Sequence, residues 1–245
     1  MAFNSKSVNS SILKDNCYDD YATFVANVVR HFDTEGIHFD YISPLNEPDY
    51  LWNGDGNGTA EQEGSPWTNE QIVKVAVNLD SVFQSDKLST KLLIGESSSL
   101  GVAVNQLPVF WGNTGRFASL PTVARIFSSH SYWNDGSASD LYTYHQKMQT
   151  AVAGTSVPVE YMQTEYSLLG NGYQWGHPDA TTGSLSEIEC GLSLARMDKG
   201  CKFGHKVTYL EEIVYQCPVN FDETIIACYN IERINGFNIR PLPMK

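Results

Sequence analysis

The chain has 245 residues, 42% of them apolar, and a formal net charge of -12 from 28 acidic and 16 basic side chains. This length fits one large domain or two small ones, and the apolar content suffices for a sizeable core. The negative charge argues against nucleic acid and anionic membranes as partners, and leaves neutral polymers as suitable substrates.

The targeting and cysteine signals are weak. No run of about 18 apolar residues exists, so no membrane span is predicted. The first 15 residues, MAFNSKSVNSSILKD, lack the apolar core of a signal peptide, so the sequence as it stands shows no export signal. The five cysteines form no CxxC or Cys/His ligand spacing, and no zinc site is expected.

The first predicted elements are a helix and a short strand. Apolar residues from Tyr21 to Phe32 follow the i, i+3, i+4 spacing of an amphipathic helix that ends near Gly36. The aromatic and β-branched run at 39–45 predicts a buried strand that ends at Asn46-Glu47-Pro48. A loop rich in Gly and Asn follows from 49 to 67.

Two further strands each end in polar residues. Thr68 and Gln71 form a predicted capping box that begins the second helix. The run at 91–95 predicts a strand ending at Glu96, after which a loop is expected. The run at 125–129 predicts another strand, ending at His130-Ser131-Tyr132-Trp133.

The last predicted elements continue the alternation. A helix is expected at 140–153, a strand at 157–164 ending at Glu165, and a helix from Ser184 toward Arg196. Strands that alternate with helices indicate a parallel α/β sheet, whose sites lie at the carboxyl ends of the strands. This pattern alone does not separate a barrel from a doubly wound sheet.

Three carboxylates stand at predicted strand ends: Glu47, Glu96 and Glu165. Cleavage of a glycosidic bond needs one carboxylic acid to protonate the leaving oxygen and a second carboxylate as nucleophile or base. A retaining enzyme holds the two about 5–5.5 Å apart. The Asn-Glu-Pro turn, the later Glu165 and the aromatic end between them favour Glu47 and Glu165 as that pair.

The ordinary interpretation of a glutamate after a strand is a charge at the start of a helix. We favour it for Glu96, and for Glu165 taken alone it stands equally open. Each tryptophan taken singly is also more often a packing residue than a sugar platform. An unrelated parallel α/β domain, with Glu47 and Glu165 as mere strand-end charges, is therefore an alternative.

Three segments resemble glycoside hydrolase family 30, and its endo-β-1,6-galactanase-like branch in particular. YISPLNEPDYLW and QEGSPWTNEQI look like the acid/base region of that family, and MQTEYSLLG looks like its nucleophile strand. The resemblance runs from about residue 15 to 196. It implies a (β/α)8 barrel, a retaining β-glycosidase acting within a polysaccharide such as β-1,6-galactan, and a secreted protein.

The resemblance also implies a role for single residues. Glu47 would be the acid/base, Glu165 the nucleophile, and Asn46 a hydrogen-bond partner of the sugar 2-hydroxyl. His130 and Tyr132 would line the cleft and orient the nucleophile or substrate. Sugar stacking would fall to tryptophans: Trp52, Trp67, Trp133 and Trp175. A carbohydrate substrate is the implied partner, with no metal or organic cofactor.

The chain also departs from that family. Its segments resemble barrel strands four to seven, whereas the first three strands and the final strand have no counterpart, so residues 1–197 are predicted to be a partial catalytic domain. Residues 198–245 form a tail that is either a divergent strand-rich end or a shifted reading frame. An inactive carbohydrate-binding remnant is thus a second alternative, and exposed sheet edges predict self-association.

Overall fold

The structure, a computed structural model, describes residues 13–52, 64–132, 134, 138–168 and 213–215. Helices and strands alternate through most of this part, as predicted. In chain order they are α1 (Tyr18–Thr34), β1 (Tyr41–Ile42), α2 (Asn69–Ser85), β2 (Lys91–Leu92), α3 (Leu100–Trp111), β3 (Ile126–His130), α4 (Ala138–Ala153), β4 (Glu160–Leu168) and β5 (Ile213–Tyr215).

The strands follow one another in space as they do in sequence. β1 pairs with β2, β3 with β4 and β4 with β5, all in parallel. Parallel bridges from Leu92 to Val123 and from Ser97 to Ser129 connect the β2 segment to the β3 segment. The order β1-β2-β3-β4-β5 has no reversal, which agrees with a singly wound barrel and not with a doubly wound sheet, where the order reverses at a switch point.

The helices cover this sheet with apolar faces. α2 begins with the predicted capping box, since Thr68 Oγ1 accepts from Gln71 N and Gln71 Oε1 accepts from Thr68 N. Its buried stripe packs in a common core with α1, α3 and the strands. Asp80 on α2 is 4% exposed, and its Oδ1 accepts from Thr122 N at 2.8 Å and from Thr122 Oγ1 at 2.6 Å, which fixes the segment before β3.

The loop expected after Glu96 is wrong, because α3 occupies residues 100–111 there. Ser99 caps this helix by accepting from Val102 N, and the buried residues Leu100, Ala103, Leu107 and Phe110 keep a helical spacing. Pro108 lies inside the helix, where it lacks the N–H that a regular turn would use. Proline is an uncommon residue at such a position, and tight packing of the apolar face compensates for it.

Two predicted strand limits also need correction. The buried strand predicted at 39–45 is reduced to two residues, and Tyr41 is 41% exposed. Within the described residues β1 is paired on one edge only. β4 does not stop at Thr164 but continues to Leu168, since β5 pairs with Tyr166–Leu168. Glu165 therefore lies within a strand and not after its end.

Other predictions fall outside the described residues or stay untested. The helix expected at 184–196 lies in the part of the chain that is not described. β5 lies in the predicted tail, but the domain limit at 197 remains a prediction. In the described part, no helix combines the length and the apolar character needed to cross a membrane.

Candidate active site

The carboxyl ends of neighbouring strands bring four titratable side chains together. Glu47 follows β1, Glu96 follows β2, His130 ends β3, and Glu165 lies on β4 at the position paired with His130. Because all these strands are parallel, their ends meet at one edge of the sheet. Residues that are 118 positions apart in sequence thus share one site.

His130 lies at the centre of this group and is 1% exposed. Its Nδ1 is 2.9 Å from Glu47 Oε1, and its Nε2 is 3.3 Å from Glu96 Oε2 and 3.7 Å from Glu165 Oε2. Both ring nitrogens therefore face carboxylate oxygens. A protonated imidazole has a donor at each nitrogen and satisfies both contacts at once.

The protonated form of His130 is favoured by this environment. Burial by itself lowers the pKa of an imidazole, but the hydrogen bonds to Glu47 and Glu96 and the negative charges of Glu165 and Glu96 outweigh that effect and raise the pKa of His130 to about 9. At neutral pH the ring is therefore a cation among three carboxyl groups.

The two carboxyl groups predicted to act as a pair lie close together. One carboxylate oxygen of Glu47 and one of Glu165 are within 4.8 Å of each other. The Glu47 side chain is 9% exposed, whereas the Glu165 side chain is 37% exposed. A ligand entering from solvent thus reaches Glu165 directly, with Glu47 recessed beside it.

Two hydroxyl groups donate to carboxylate oxygens of Glu165 and Glu96. Tyr132 OH donates to Glu165 Oε1 at 2.8 Å. Thr164 Oγ1 donates to Glu96 Oε2, the same oxygen that faces His130. Tyr132 was predicted for this site, whereas Thr164 was not, since a threonine inside a strand gives no signal of its own.

The backbone at two of the glutamates is strained. Glu47 has φ 41° and Glu96 has φ 53°, both in the left-handed region that non-glycine residues rarely adopt. Glu47 N donates to Glu96 O at 2.9 Å, and Glu96 N donates to Ser128 O at 2.7 Å. Such strain costs about 1–3 kcal/mol per residue and is concentrated at functional sites.

Asp49 ties the Asn-Glu-Pro turn to the next strand end. Its carboxylate accepts from Ser98 N at 2.9 Å and from the Ser98 hydroxyl. On the other side of the turn, Tyr21 OH on α1 donates to Pro44 O. The turn that carries Glu47 is thus fixed at both ends. Asp49 was not among the predicted site residues.

The position of Glu96 contradicts the prediction that it is a charge at the start of a helix. Glu96 is 4% exposed and contacts His130 and Thr164, whereas α3 begins four residues later and is capped by Ser99. A glutamate at a helix start would face solvent. The position of Glu96 after a strand was the available signal, because Glu47 and Glu165 were recognised by the same criterion.

The residues predicted to bind sugar are not all placed at the site. Asn46 is exposed beside Glu47. Trp52 is 4% exposed, and a Cβ at Gly64 would lie 2.2 Å from its ring, so the ring is buried against Gly64 and its role in sugar stacking remains a prediction. Trp67 is half-buried with its ring edge-on to Tyr18. Trp133 and Trp175 lie outside the described residues.

Three of these side chains lie close enough to share a metal ion, but the contacts of His130 favour a proton over a metal. Glu47, His130 and Glu165 each offer a ligand atom within 4.8 Å of the others. A metal needs the neutral imidazole, because a ligating nitrogen must supply its lone pair. The contacts of His130 with carboxylates at both nitrogens favour the protonated ring instead.

A cavity of about 730 Å³ opens at the other end of the sheet. Its lining includes Tyr41, Lys91, Arg125 and Glu160, which stand at or just before the first residues of β1 to β4. This cavity is therefore separated from Glu47 and Glu165 by the length of the strands. In parallel barrels the chemistry lies at the carboxyl ends, and residues at the opposite face contribute to stability.

The chain is similar to known proteins in both sequence and fold. A model of O-glycosyl hydrolase family 30 matches residues 1–199. No curated protein sequence matches the chain. Among solved structures, a conserved exported protein from Bacteroides fragilis has a TM-score of 0.72 at 20% identity, covering 85% of this chain and 44% of that one.

Two further solved structures match much of the chain. An endo-β-1,6-glucanase has a TM-score of 0.54 at 21% identity, covering 88% of this chain and 41% of that one. An endoxylanase of glycoside hydrolase family 30 from Clostridium papyrosolvens has a TM-score of 0.44 at 18% identity, covering 83% and 40%. The chain thus spans less than half the length of each of these proteins.

Proposed function

The chain belongs to O-glycosyl hydrolase family 30, and from this premise we propose that it is a retaining β-glycosidase with Glu47 as acid/base and Glu165 as nucleophile. Family membership removes the alternative of an unrelated parallel α/β domain. It also implies the (β/α)8 barrel, in agreement with the sequential parallel order of the described strands.

The separation of the two carboxyl groups carries the proposal. Oxygens of Glu47 and Glu165 lie within 4.8 Å of each other, whereas an inverting enzyme keeps its carboxyl groups about 6.5–9.5 Å apart to admit a water molecule between them and the sugar. The short separation favours direct attack by one carboxylate and therefore retention of configuration.

In the first step, a Glu165 carboxylate oxygen attacks the anomeric carbon from the α face. The bond from that carbon to the leaving oxygen breaks as Glu47 transfers its proton to this oxygen. The products are a glycosyl ester on Glu165, an ionised Glu47 and the released alcohol. Exposure of Glu165 suits this attack, and the Tyr132 hydroxyl, 2.8 Å from Oε1, orients the attacking group.

In the second step, Glu47 takes a proton from water, and the resulting hydroxide oxygen bonds to the anomeric carbon. The ester bond to Glu165 breaks, which regenerates its carboxylate and the protonated Glu47. Two inversions give net retention. In the structure the His130 cation lies 2.9 Å from Glu47 Oε1 and 3.7 Å from Glu165 Oε2, where it is placed to restrain both carboxyl groups.

The proposed substrate is a β-1,6-linked polysaccharide cleaved within the chain, with β-1,6-galactan first because the sequence segments around Glu47 and Glu165 resemble that branch of the family. The endo-β-1,6-glucanase among the structural neighbours makes β-1,6-glucan the next polymer to compare. Asn46, exposed beside the acid/base, is the proposed partner of the sugar 2-hydroxyl.

The test uses the purified chain with β-1,6-galactan, β-1,6-glucan and xylan, and follows new reducing ends and their anomeric configuration by NMR. We expect the β anomer as the first product and preference for β-1,6-galactan. Glu47→Gln should lower kcat/KM about 100- to 10,000-fold, and Glu165→Gln should abolish turnover.

Glu160→Gln is the matched control, because Glu160 is an exposed carboxylate at the other end of the strand that carries Glu165. This variant should keep wild-type activity. Equal activity of wild type and Glu165→Gln would overturn the assignment. A folded chain that binds these polymers without cleaving them would instead support the inactive carbohydrate-binding remnant.

A further inference from the structure

The third carboxyl group of the site has no part in the two displacement steps. Glu96 is 4% exposed, yet its Oε2 is 3.3 Å from His130 Nε2 and also accepts from the Thr164 hydroxyl. Burying a carboxylate is costly unless it is paired and hydrogen-bonded, and these two contacts provide both conditions.

The backbone around Glu96 connects it to the other strand ends. Its carbonyl accepts from Glu47 N, and its N–H donates to Ser128 O, two residues before His130. Glu96 has φ 53°, which is a strained backbone conformation. Such strain persists only where the surrounding structure holds the residue in place. Gly95, just before it, approaches so closely that an added Cβ would lie 2.4 Å from Ser128 O. Packing and backbone bonds together fix the direction of this carboxylate.

We propose that Glu96 is a positioning residue, which holds the His130 ring between Glu47 and Glu165 through an ion pair at Nε2. In the proposed reaction Glu96 acts through the His130 ring and not on the substrate itself. His130 donates from Nδ1 to the proposed acid/base, so any rotation of the ring breaks that hydrogen bond. Glu96, itself held by the Thr164 hydroxyl, opposes the rotation from the opposite nitrogen.

The charges around His130 come from every strand end that packs against it. Glu47 approaches from β1, Glu96 from β2 and Glu165 from β4, and the neutral Tyr132 ring lies edge-on at 5.8 Å between centroids. Only Glu47 and Glu165 are consumed and regenerated in the proposed reaction. Glu96 therefore supplies the negative charge that stays constant while the other two change. The catalytic role of Glu96 rests on the proposed function, whereas the positioning of His130 by Glu96 does not.

The experiment measures the titration of the His130 ring by NMR in the full chain with isotope-labelled histidine, assigned by comparison with His130→Gln. We expect a pKa of about 9 in the wild type. Glu96→Gln removes the charge and keeps the volume, and should lower that pKa by about 1–3. Glu160→Gln should leave it unchanged.

Activity is measured separately on an aryl β-glycoside. Glu96→Gln should reduce kcat/KM about 10- to 100-fold and move the basic limb of its pH profile to lower pH, with KM little changed. If Glu96→Gln does not fold, Glu96→Asp is measured instead. This variant keeps the negative charge on a side chain that is one methylene shorter. It should lower the pKa of His130 by less than Glu96→Gln would.

A His130 titration near 6.5 in the wild type, or one that neither Glu96 variant moves, would overturn the inference. If wild-type protein shows the expected titration but no glycosidase activity, the proposed function fails while the positioning of His130 by Glu96 is upheld. The two claims are thus separated by independent readouts.

Discussion

The main residue-level feature is a buried imidazolium that three carboxyl groups surround. A charge at 1% exposure is stable only because Glu47 and Glu96 accept its two N–H groups while Glu165 adds a further negative charge. The arrangement keeps two potentially repelling carboxyl groups within 4.8 Å of each other. His130 is thus a structural requirement for the pair as well as a restraint on its geometry.

This arrangement predicts a pH-dependent stability. The folded pKa of His130 is raised from 6.5 to about 9, so its contribution is full below about pH 6.5 and is lost as the pH rises through about 9, with a total of about 3 kcal/mol. Urea denaturation at pH 6 and pH 9.5 should show this loss in the wild type and not in His130→Gln. A parallel pH dependence of the two proteins would contradict it.

The local sequence was sufficient to find some residues of the site and not others. Glu47 and Glu165 were identified because acidic residues at strand ends are a local signal, and the resemblance to glycoside hydrolase family 30 assigned His130 and Tyr132 to the cleft. The roles of Asp49 and Thr164 depend on partners 49 and 68 positions away, Ser98 and Glu96, and no local pattern shows such contacts.

At the scale of helices and strands, the strongest periodic signals were also the most reliable. The capping box and apolar stripe placed α2 well. α3 was missed because Pro108 and Gly101 argue locally against a helix, whereas packing of its buried face against the core decides in favour of one. β4 extends to Leu168 because it pairs with β5, which begins at Ile213, 45 positions after Leu168. Residues 157–164 alone therefore did not predict where β4 ends.

Asp80 provides a test of how α2 is attached to the sheet. Asp80→Ala removes the acceptor for Thr122 N and Oγ1 and leaves a buried N–H without a partner. We expect the free energy of unfolding to fall by about 2–3 kcal/mol. Urea denaturation measures this loss, and Ser81→Ala, at the exposed neighbouring position of the same helix, should change it by less than about 0.5 kcal/mol. Equal losses in the two variants would contradict the role of Asp80.

At the scale of the whole molecule, the described strands form one side of a parallel sheet with an open edge. Within the described residues β1 is paired on one edge only, and its Tyr41 side chain is 41% exposed. Open edges with apolar side chains favour association with another strand.

We therefore propose that the chain self-associates through the β1 edge when no other segment covers it. Sedimentation analysis should show concentration-dependent association, and Tyr41→Lys should weaken it, because a charge on an edge strand opposes pairing. Tyr142→Lys is the control, since Tyr142 is 51% exposed on α4, away from this edge. A wild-type chain that stays monomeric at all concentrations would contradict the proposal.

The most direct test of the central claim replaces each carboxyl group of the pair by alanine and supplies azide as an external nucleophile. In Glu47→Ala, azide should attack the glycosyl ester on Glu165 and give the β-glycosyl azide. In Glu165→Ala, azide should attack the substrate directly and give the α-glycosyl azide, with Glu47 protonating the leaving group. The opposite anomers, the same anomer from both variants, or no rescue of either would contradict the assignment of Glu47 and Glu165.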